Sequence, residues 1–233
     1  MNKLAVISLG GSIIAPDSVD HVFLKQLNES LRTYLHEDKQ RKIILVCGGG
    51  APARIYQNAM RAIDPRISSE ELDWLGIRAT HINGQLLKAM FSDLCTDNLI
   101  TDPTGHINFQ GQVLVAAGWK PGFSTDNDAV ILAERFEGKL IINLSNIAKV
   151  YTDDPKKNPD AKPLDAISWA EYRAMVGDNW TPGKSSPFDP IASQRAEKMK
   201  MRVVCADGRN ISNTMNILYD RPFEGTIIGS SND

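Results

Sequence analysis

Along the chain, short runs of aliphatic and β-branched residues alternate with longer stretches in which apolar positions recur every three or four residues. The short runs are KLAVISL (3–9), RKIILVC (41–47), QVLVAAG (112–118), KLIINLS (139–145), MRVVCAD (201–207) and GTIIG (225–229). Runs of this length suit strands buried on both faces. The longer stretches predict helices over residues 20–36, 52–62, 69–93, 127–136, 189–199 and 211–219. Strand and helix in alternation predict an α/β protein with a mostly parallel sheet covered by helices on both faces. The segment VYTDDPKKNPDAKPLD (150–165) is rich in Pro, Asp and Lys. It reads as a long surface loop and as the divide between an N-terminal and a C-terminal lobe.

Length and composition narrow the function classes. A chain of 233 residues suits one large α/β domain or two small ones sharing a sheet. No stretch approaches the roughly eighteen apolar residues of a membrane span, and the first apolar run is broken by glycines too early for a signal peptide. A soluble chain in the cytoplasm is the expectation. The 26 basic and 28 acidic residues are well mixed and leave a net charge of −2, which provides no field for gathering nucleic acid. An anionic ligand must therefore be held locally. Cys47, Cys95 and Cys205 are widely spaced and read as core thiols rather than a zinc site or a disulfide framework. His21, His36, His81 and His106 show no metal-like pairing and are assigned surface or core roles.

In open parallel sheets, ligands gather at the carboxyl ends of the strands. The first run leads into LGGSI, the second into CGGGAPAR, and the third into GWKPGFSTDND (118–128). Glycines there let backbone N–H groups approach a phosphate without a Cβ in the way, although a tight turn explains any one of them equally well. Three on one edge of the sheet point to phosphate. Arg54, one helical turn beyond Gly50, is within reach of the same anion. On the helix SEELDWLGIRATHINGQLLKAMF (69–91), Leu72, Leu75, Ala79, Leu86 and Met90 form an apolar stripe. Asp73, Gly76, Thr80 and Asn83 follow on an adjoining face. That neutral-polar row suits the sugar or base of a nucleotide. For Thr80 and Asn83, a helix bend or a buried hydrogen bond is the competing explanation.

Two motifs are excluded by spacing. GDNWTPGKSS (177–186) has one residue too many between Gly177 and Gly183 for a G-x-x-x-x-G-K-S phosphate loop, and no strand precedes it. GGGAPA lacks the later glycines of the dinucleotide fingerprint.

The motifs LGGSI, GGGAPAR, DWLGIRATHING and PGFSTD occur in that order. VYTDDPKKNPDAK, FDPIAS (188–193) and GTII follow them. Together they resemble the amino acid kinase superfamily over nearly the whole chain, and within it the uridylate (UMP) kinases, closer to the archaeal type. The resemblance implies a three-layer α/β/α sandwich forming a single domain. Its acceptor-binding lobe would cover about 1–137 and its ATP-binding lobe about 138–233. It implies transfer of the γ-phosphoryl group of ATP, with Mg2+, to UMP, and assembly into a homo-oligomer as large as a hexamer. By position, Gly49, Asp73 and, in the stretch 118–125, Gly118, Pro121, Gly122, Phe123, Ser124 and Thr125 match acceptor contacts, and Thr80 and Asn83 join them from the polar face of the helix. Gly10, Gly11, Ser12, Gly50 and Arg54 match contacts to the ATP phosphates, and Ser145, Asn146, Tyr151 and Asp154 match adenosine contacts. Asp126 matches the carboxylate that holds cationic groups around the transferring phosphoryl, and Lys184 and Asp189 are assigned with it to the catalytic group. No side-chain metal site is implied.

Three positions depart from the pattern. Ser8 stands where many relatives carry a lysine, and Lys184 is the candidate for the missing charge. Ala148-Lys149 replaces an Asp-Gly pair. Asp128 adds a second acid, as in the DND of glutamate 5-kinases, and either binds metal or caps the helix. These departures leave two other functions open: a kinase for a carboxylate, carbamate or small phosphate, and a nucleotide-binding protein without fast catalysis.

Overall fold

The computed structural model describes residues 3–155, 157–178 and 186–229. Lys184 lies outside the described residues. In the first half, β1 (Leu4–Leu9) leads into the single turn α1 (Gly11–Ile14) and then α2 (His21–Glu37). β2 (Lys42–Cys47) leads into α3 (Gly50–Ile63) and α4 (Ser69–Met90), and β3 (Val113–Ala116) into α5 (Thr125–Arg135). The second half holds β4 (Leu140–Ser145), the short strands β5 (Val150–Tyr151), β6 (Pro163–Leu164) and β7 (Ala166–Ile167), and then α6 (Trp169–Val176) and α7 (Pro190–Lys198). It closes with β8 (Arg202–Asp207), α8 (Ile211–Leu218) and β9 (Thr226–Ile228).

Seven strands form one sheet in the order β3-β2-β1-β4-β8-β9-β7, and β5 and β6 form a separate pair. All neighbours in the large sheet run parallel except β8 and β9. Alternate side chains of each strand enter opposite layers. Ile7, Leu9, Leu45, Ile142 and Val204 pack in one core with residues of α2, α4 and α8. Val6, Ile44, Val46, Ile141 and Val203 pack in the other with residues of α5, α6 and α7. Each fully buried aliphatic side chain contributes about 1.5–3 kcal/mol, which is why these runs carry almost no polar residues. The expected three-layer α/β/α architecture is the one observed.

Helices begin where a side-chain oxygen satisfies a free N–H of the first turn. Asp20 accepts from the Phe23 N–H, Ser68 from Glu71, Ser124 from Asn127 and Asp189 from Ala192. Pro190 follows Asp189 at the first helical position, where its missing N–H costs nothing.

Several expectations change. Residues 150–165 are not wholly loop, because Val150 and Tyr151 pair antiparallel with Leu164 and Pro163. Val150 is fully buried and gives the hairpin its anchor. Helix α6 went unrecognised although Ser168 and Glu171 form a complete capping box at its start and Gly177 ends it with φ +85. On α4 the deepest face is not the apolar stripe. Leu72 and Ala79 are buried, but Leu75, Leu86 and Met90 are only partly so, while Thr80, Asn83, Gly84 and Leu87 face inward. The cause is close packing at Gly84, where a Cβ would meet Leu99 Cδ1 at 2.7 Å and Cys47 Sγ at 3.1 Å. The cysteines are core thiols, free and buried, and burial raises the Cys47 and Cys205 thiols to about 12.

Candidate active site

Because β3, β2, β1 and β4 lie side by side and parallel, the turns after them share one edge of the sheet. The turns after β1 and β2 are packed backbone against backbone. A Cβ on Gly11 would sit 1.9 Å from the Gly50 amide nitrogen, and one on Gly48 would sit 2.5 Å from the Gly11 nitrogen. Gly50 itself has φ +65. At these three positions the space left by the absent side chain is taken by the neighbouring turn, not left open for a ligand. Packing between the turns is therefore a reason for glycine at these positions that the sequence reading did not include. Gly10 N–H donates to the Leu144 carbonyl at 2.8 Å and ties the first turn to β4. Asn83 on α4 donates its amide to the Gly48 and Gly49 carbonyls, at 2.8 and 3.2 Å, from below.

Gly49 faces the other way, into a cavity of about 220 Å3 between α3, α4 and the loop after β3. Asp73, Thr80, Gly118, Gly122, Phe123, Ser124 and Thr125 line it as well. Every residue assigned to the acceptor is therefore gathered there except Pro121 and Asn83. The reach of Asp73, Gly76 and Thr80 into one space follows from their helical spacing on α4. Ala53 and Gln57 from α3 complete the wall and were not recognised from sequence. The signal was present, since Gly49, Ala53 and Gln57 follow at intervals of four. Gln57 Nε2 donates to the Leu72 carbonyl at 2.8 Å and bridges the two helices.

The loop after β3 hangs on side chains. Thr80 Oγ1 accepts the Gly118 N–H at 2.8 Å, Asp128 Oδ2 accepts the Trp119 N–H at 3.2 Å, and Asp73 Oδ2 accepts the Gly122 N–H at 3.0 Å. His81 Nε2 lies 2.9 Å from the Gly118 carbonyl, so this histidine also ties α4 to the loop. The Trp119 and Phe123 rings meet edge to face at 5.0 Å, with the Lys120 ammonium over both.

Asp126 stands at the head of α5 beside this cavity. Its Oδ1 accepts from the Ser8 hydroxyl at 2.8 Å and its Oδ2 from the Asp189 N–H at 3.2 Å. Ser8, only 3% exposed, thus occupies the expected lysine position and offers a neutral donor. Burial, then the nearby Asp189 charge, raises the Asp126 carboxyl to about 6, against the two hydrogen bonds that lower it. The Asp189 carboxylate itself caps α7 through the Ala192 N–H at 2.8 Å, so its tie to Asp126 is made by backbone. Asp128 is fully buried, and burial with the charges of Asp126 and Asp102 raises it to about 7. The cap of α5 is Ser124, so the expectation that Asp128 caps this helix does not hold.

The residues assigned to ATP are more dispersed. Gly10, Gly11, Ser12 and Gly50 cluster at the paired turns. Arg54 donates to the Pro16 carbonyl at 3.0 Å. Arg209, not singled out from sequence, ties the Ser12 carbonyl to Asp20 and so joins the first turn to α2. Ser145 ends β4 next to β8, with its carbonyl accepting from Gly208 at 2.8 Å. Asn146 and Asp154 are exposed, Tyr151 is half-buried in the hairpin, and Asp154 ion-pairs with Lys157 at 3.6 Å. A wider cleft of about 370 Å3 lies at the opposite edge of the sheet, by Lys3, Lys42 and Phe109. The Lys42 ammonium there is engaged by the Phe109 carbonyl and ring.

Glycine turns on the carboxyl edge, an acid between them and a cavity alongside describe a phosphotransferase-type site. Residues 3–207 match the amino acid kinase family, and the chain belongs to it. Its relatives include proteins named uridylate kinase. That of Thermoplasma volcanium is 32% identical, covering 95% of this chain and 96% of its own. That of Methanothrix thermoacetophila is 32% identical, covering 97% and 100%. The crystal structure of uridylate kinase from Archaeoglobus fulgidus matches with a TM-score of 0.81 and 26% identity, covering 96% of this chain and 99% of the other. No helix among the described residues is long and apolar enough to cross a membrane.

Proposed function

We propose that the chain is a uridylate kinase, transferring the γ-phosphoryl group of ATP to UMP to give UDP and ADP. The observation that carries this reading is the cavity beside Asp126, which collects the acceptor residues from α4 and the β3–α5 loop. The names of the full-length relatives supply the acceptor. Magnesium would accompany the donor as MgATP. It neutralises charge on the phosphates when bound.

A UMP phosphate oxygen attacks the γ-phosphorus in line. The bond from that phosphorus to the β–γ bridging oxygen breaks, and ADP leaves with the electron pair. No general base is required, because a phosphate monoester with a second pKa near 6 is largely ionised at pH 7. The protein's share is positioning and charge stabilisation. Backbone N–H groups of the turns face the phosphates, and Asp126, held by Ser8 and Asp189, orients positive charge around the transferring group. Lys184 supplies that charge. The lobe before about residue 137 binds the acceptor, and the remainder binds ATP. Exposed Ile55, Tyr56 and Ile63 on α3 support assembly into a homo-oligomer.

The DND motif no longer favours a carboxylate or carbamate kinase, since Asp128 lies behind the loop and outside the cavity lining. One observation favours a second reading, nucleotide binding without fast turnover: Ser8 brings no cation to Asp126. ADP release from MgATP, measured with UMP, CMP, glutamate, carbamate and isopentenyl phosphate in turn, tests both. Fast turnover with UMP alone supports the kinase. Turnover only with another acceptor overturns the assignment of the cavity, and silence with all, beside tight nucleotide binding, supports the second reading.

A further inference from the structure

We infer that Asp128 is a positioning residue for the acceptor: its buried carboxyl holds the Trp119 N–H and thereby sets the loop 118–123 that walls the cavity. The kinetic consequence rests on the uridylate kinase reading; the geometry does not. Of the three side chains that accept N–H groups of this loop, Thr80 and Asp73 also line the cavity, so changing either alters contact with the ligand and placement of the loop together. Asp128 is 0% exposed and absent from the lining, and it touches the loop through Trp119.

Two observations make this more than a packing detail. Asp128 Oδ1 is buried without a hydrogen-bond partner among the described residues. Such an atom destabilises a fold. An apolar residue, like the neighbouring Ala129 and Val130 of the core, would avoid that loss. What a carboxyl supplies there is an acceptor for Trp119. The second observation links Trp119 to the cavity. Its ring meets the Phe123 ring edge to face at 5.0 Å, and Phe123 lines the cavity. Fixing one N–H at Trp119 therefore fixes the aromatic wall against which the acceptor rests.

The test compares wild type, Asp128→Asn and Asp128→Ala by steady-state kinetics with UMP and MgATP and by hydrogen exchange of the 118–123 amides. Asn keeps a carbonyl acceptor at the same place; Ala removes it. Asp128→Ala is expected to raise KM for UMP about tenfold or more while kcat and KM for ATP change less than about threefold. Asp128→Asn is expected to restore the UMP KM to within about twofold of wild type. If Asp128→Ala does not fold, Asp128→Leu removes the acceptor while filling the space and serves in its place. An unchanged UMP KM in the folded Ala or Leu variant overturns the inference, as does an Asn variant equally impaired. Should wild type be inactive with UMP, the kinase reading falls and exchange decides alone. Faster exchange at Trp119 in the Ala variant but not in the Asn variant supports the role of Asp128, and equal exchange in all three overturns it.

Discussion

The paired turns after β1 and β2 and the loop after β3 share one edge of the sheet and a high glycine content, yet they are built on opposite principles. In the paired turns, backbone packs on backbone, and Gly11, Gly48 and Gly50 are required because the partner turn fills the place of a side chain. The loop after β3 has open space around Gly122 and is held by Thr80, Asp128 and Asp73 reaching across from two helices. The first construction leaves no room for a side chain and, on the proposed reading, serves the donor phosphates. The second is set by individual side chains and, on the proposed reading, is fitted by them to the acceptor. Asp126 stands at their junction, bonded to Ser8 of β1 and carried by α5, which the loop leads into.

The contrast is breakable at several points. The largest effect is expected from Gly11→Ala, whose Cβ meets the Gly50 nitrogen. Its stability should fall by more than about 4 kcal/mol, with loss of soluble folded protein on expression. A melting temperature near wild type would show that the paired turns are looser than their packing implies. Next comes Asp126→Asn at the junction. Turnover should drop about a thousandfold, roughly 4 kcal/mol of transition-state stabilisation, while the UMP dissociation constant moves less than tenfold. An equal loss in both would remove its role as organiser. Lys184→Ala should lower kcat about a hundredfold, near 3 kcal/mol, if neither region brings its own cation. An unchanged rate returns Lys184 to solvent.

Smaller effects separate the two regions further. Burial raises the Asp128 and Asp126 carboxyls from 3.8 to about 7 and about 6. The folded state therefore holds protons that the unfolded chain releases. Stability from this source is full below about pH 4 and declines as pH rises through about 6 and then about 7. Denaturant melts across that range should slope downward, and Asp128→Asn should flatten part of the slope. The smallest effect is expected at Gly122→Ala, where φ is +79 and a Cβ has no neighbour within 4 Å. A cost of about 1 kcal/mol follows from backbone conformation alone. A much larger loss would mean that the β3–α5 loop is packed as tightly as the paired turns.

Much of the site is legible along the chain because its residues are close in sequence and share a period. Asp73, Gly76 and Thr80 project into one cavity at helical spacing, and the Ser-Thr-Asp stretch announces a helix start. The capping box at Ser168 and Glu171 is equally local, a Ser and a Glu three residues apart. The partnership of Gly11 with Gly50 is different in kind, because a backbone approach between turns of two strands leaves no local pattern. The same holds for Ser8, whose hydroxyl has meaning only once α5 brings Asp126 to within 2.8 Å.

The sequence by itself determined the alternation of strand and helix, the three-layer class, the position of the glycine turns and the sharing of one helix face by Asp73, Gly76 and Thr80. Each depends on local pattern, on residue type or on the order of motifs. Only the tertiary structure decided which glycines serve packing and which face the cavity, that Ser124 rather than an aspartate caps α5, and that Asp128 is buried behind the loop it holds. Those outcomes depend on contacts between segments far apart in the chain, and such contacts arise only when the sheet order β3-β2-β1-β4 sets the turns side by side.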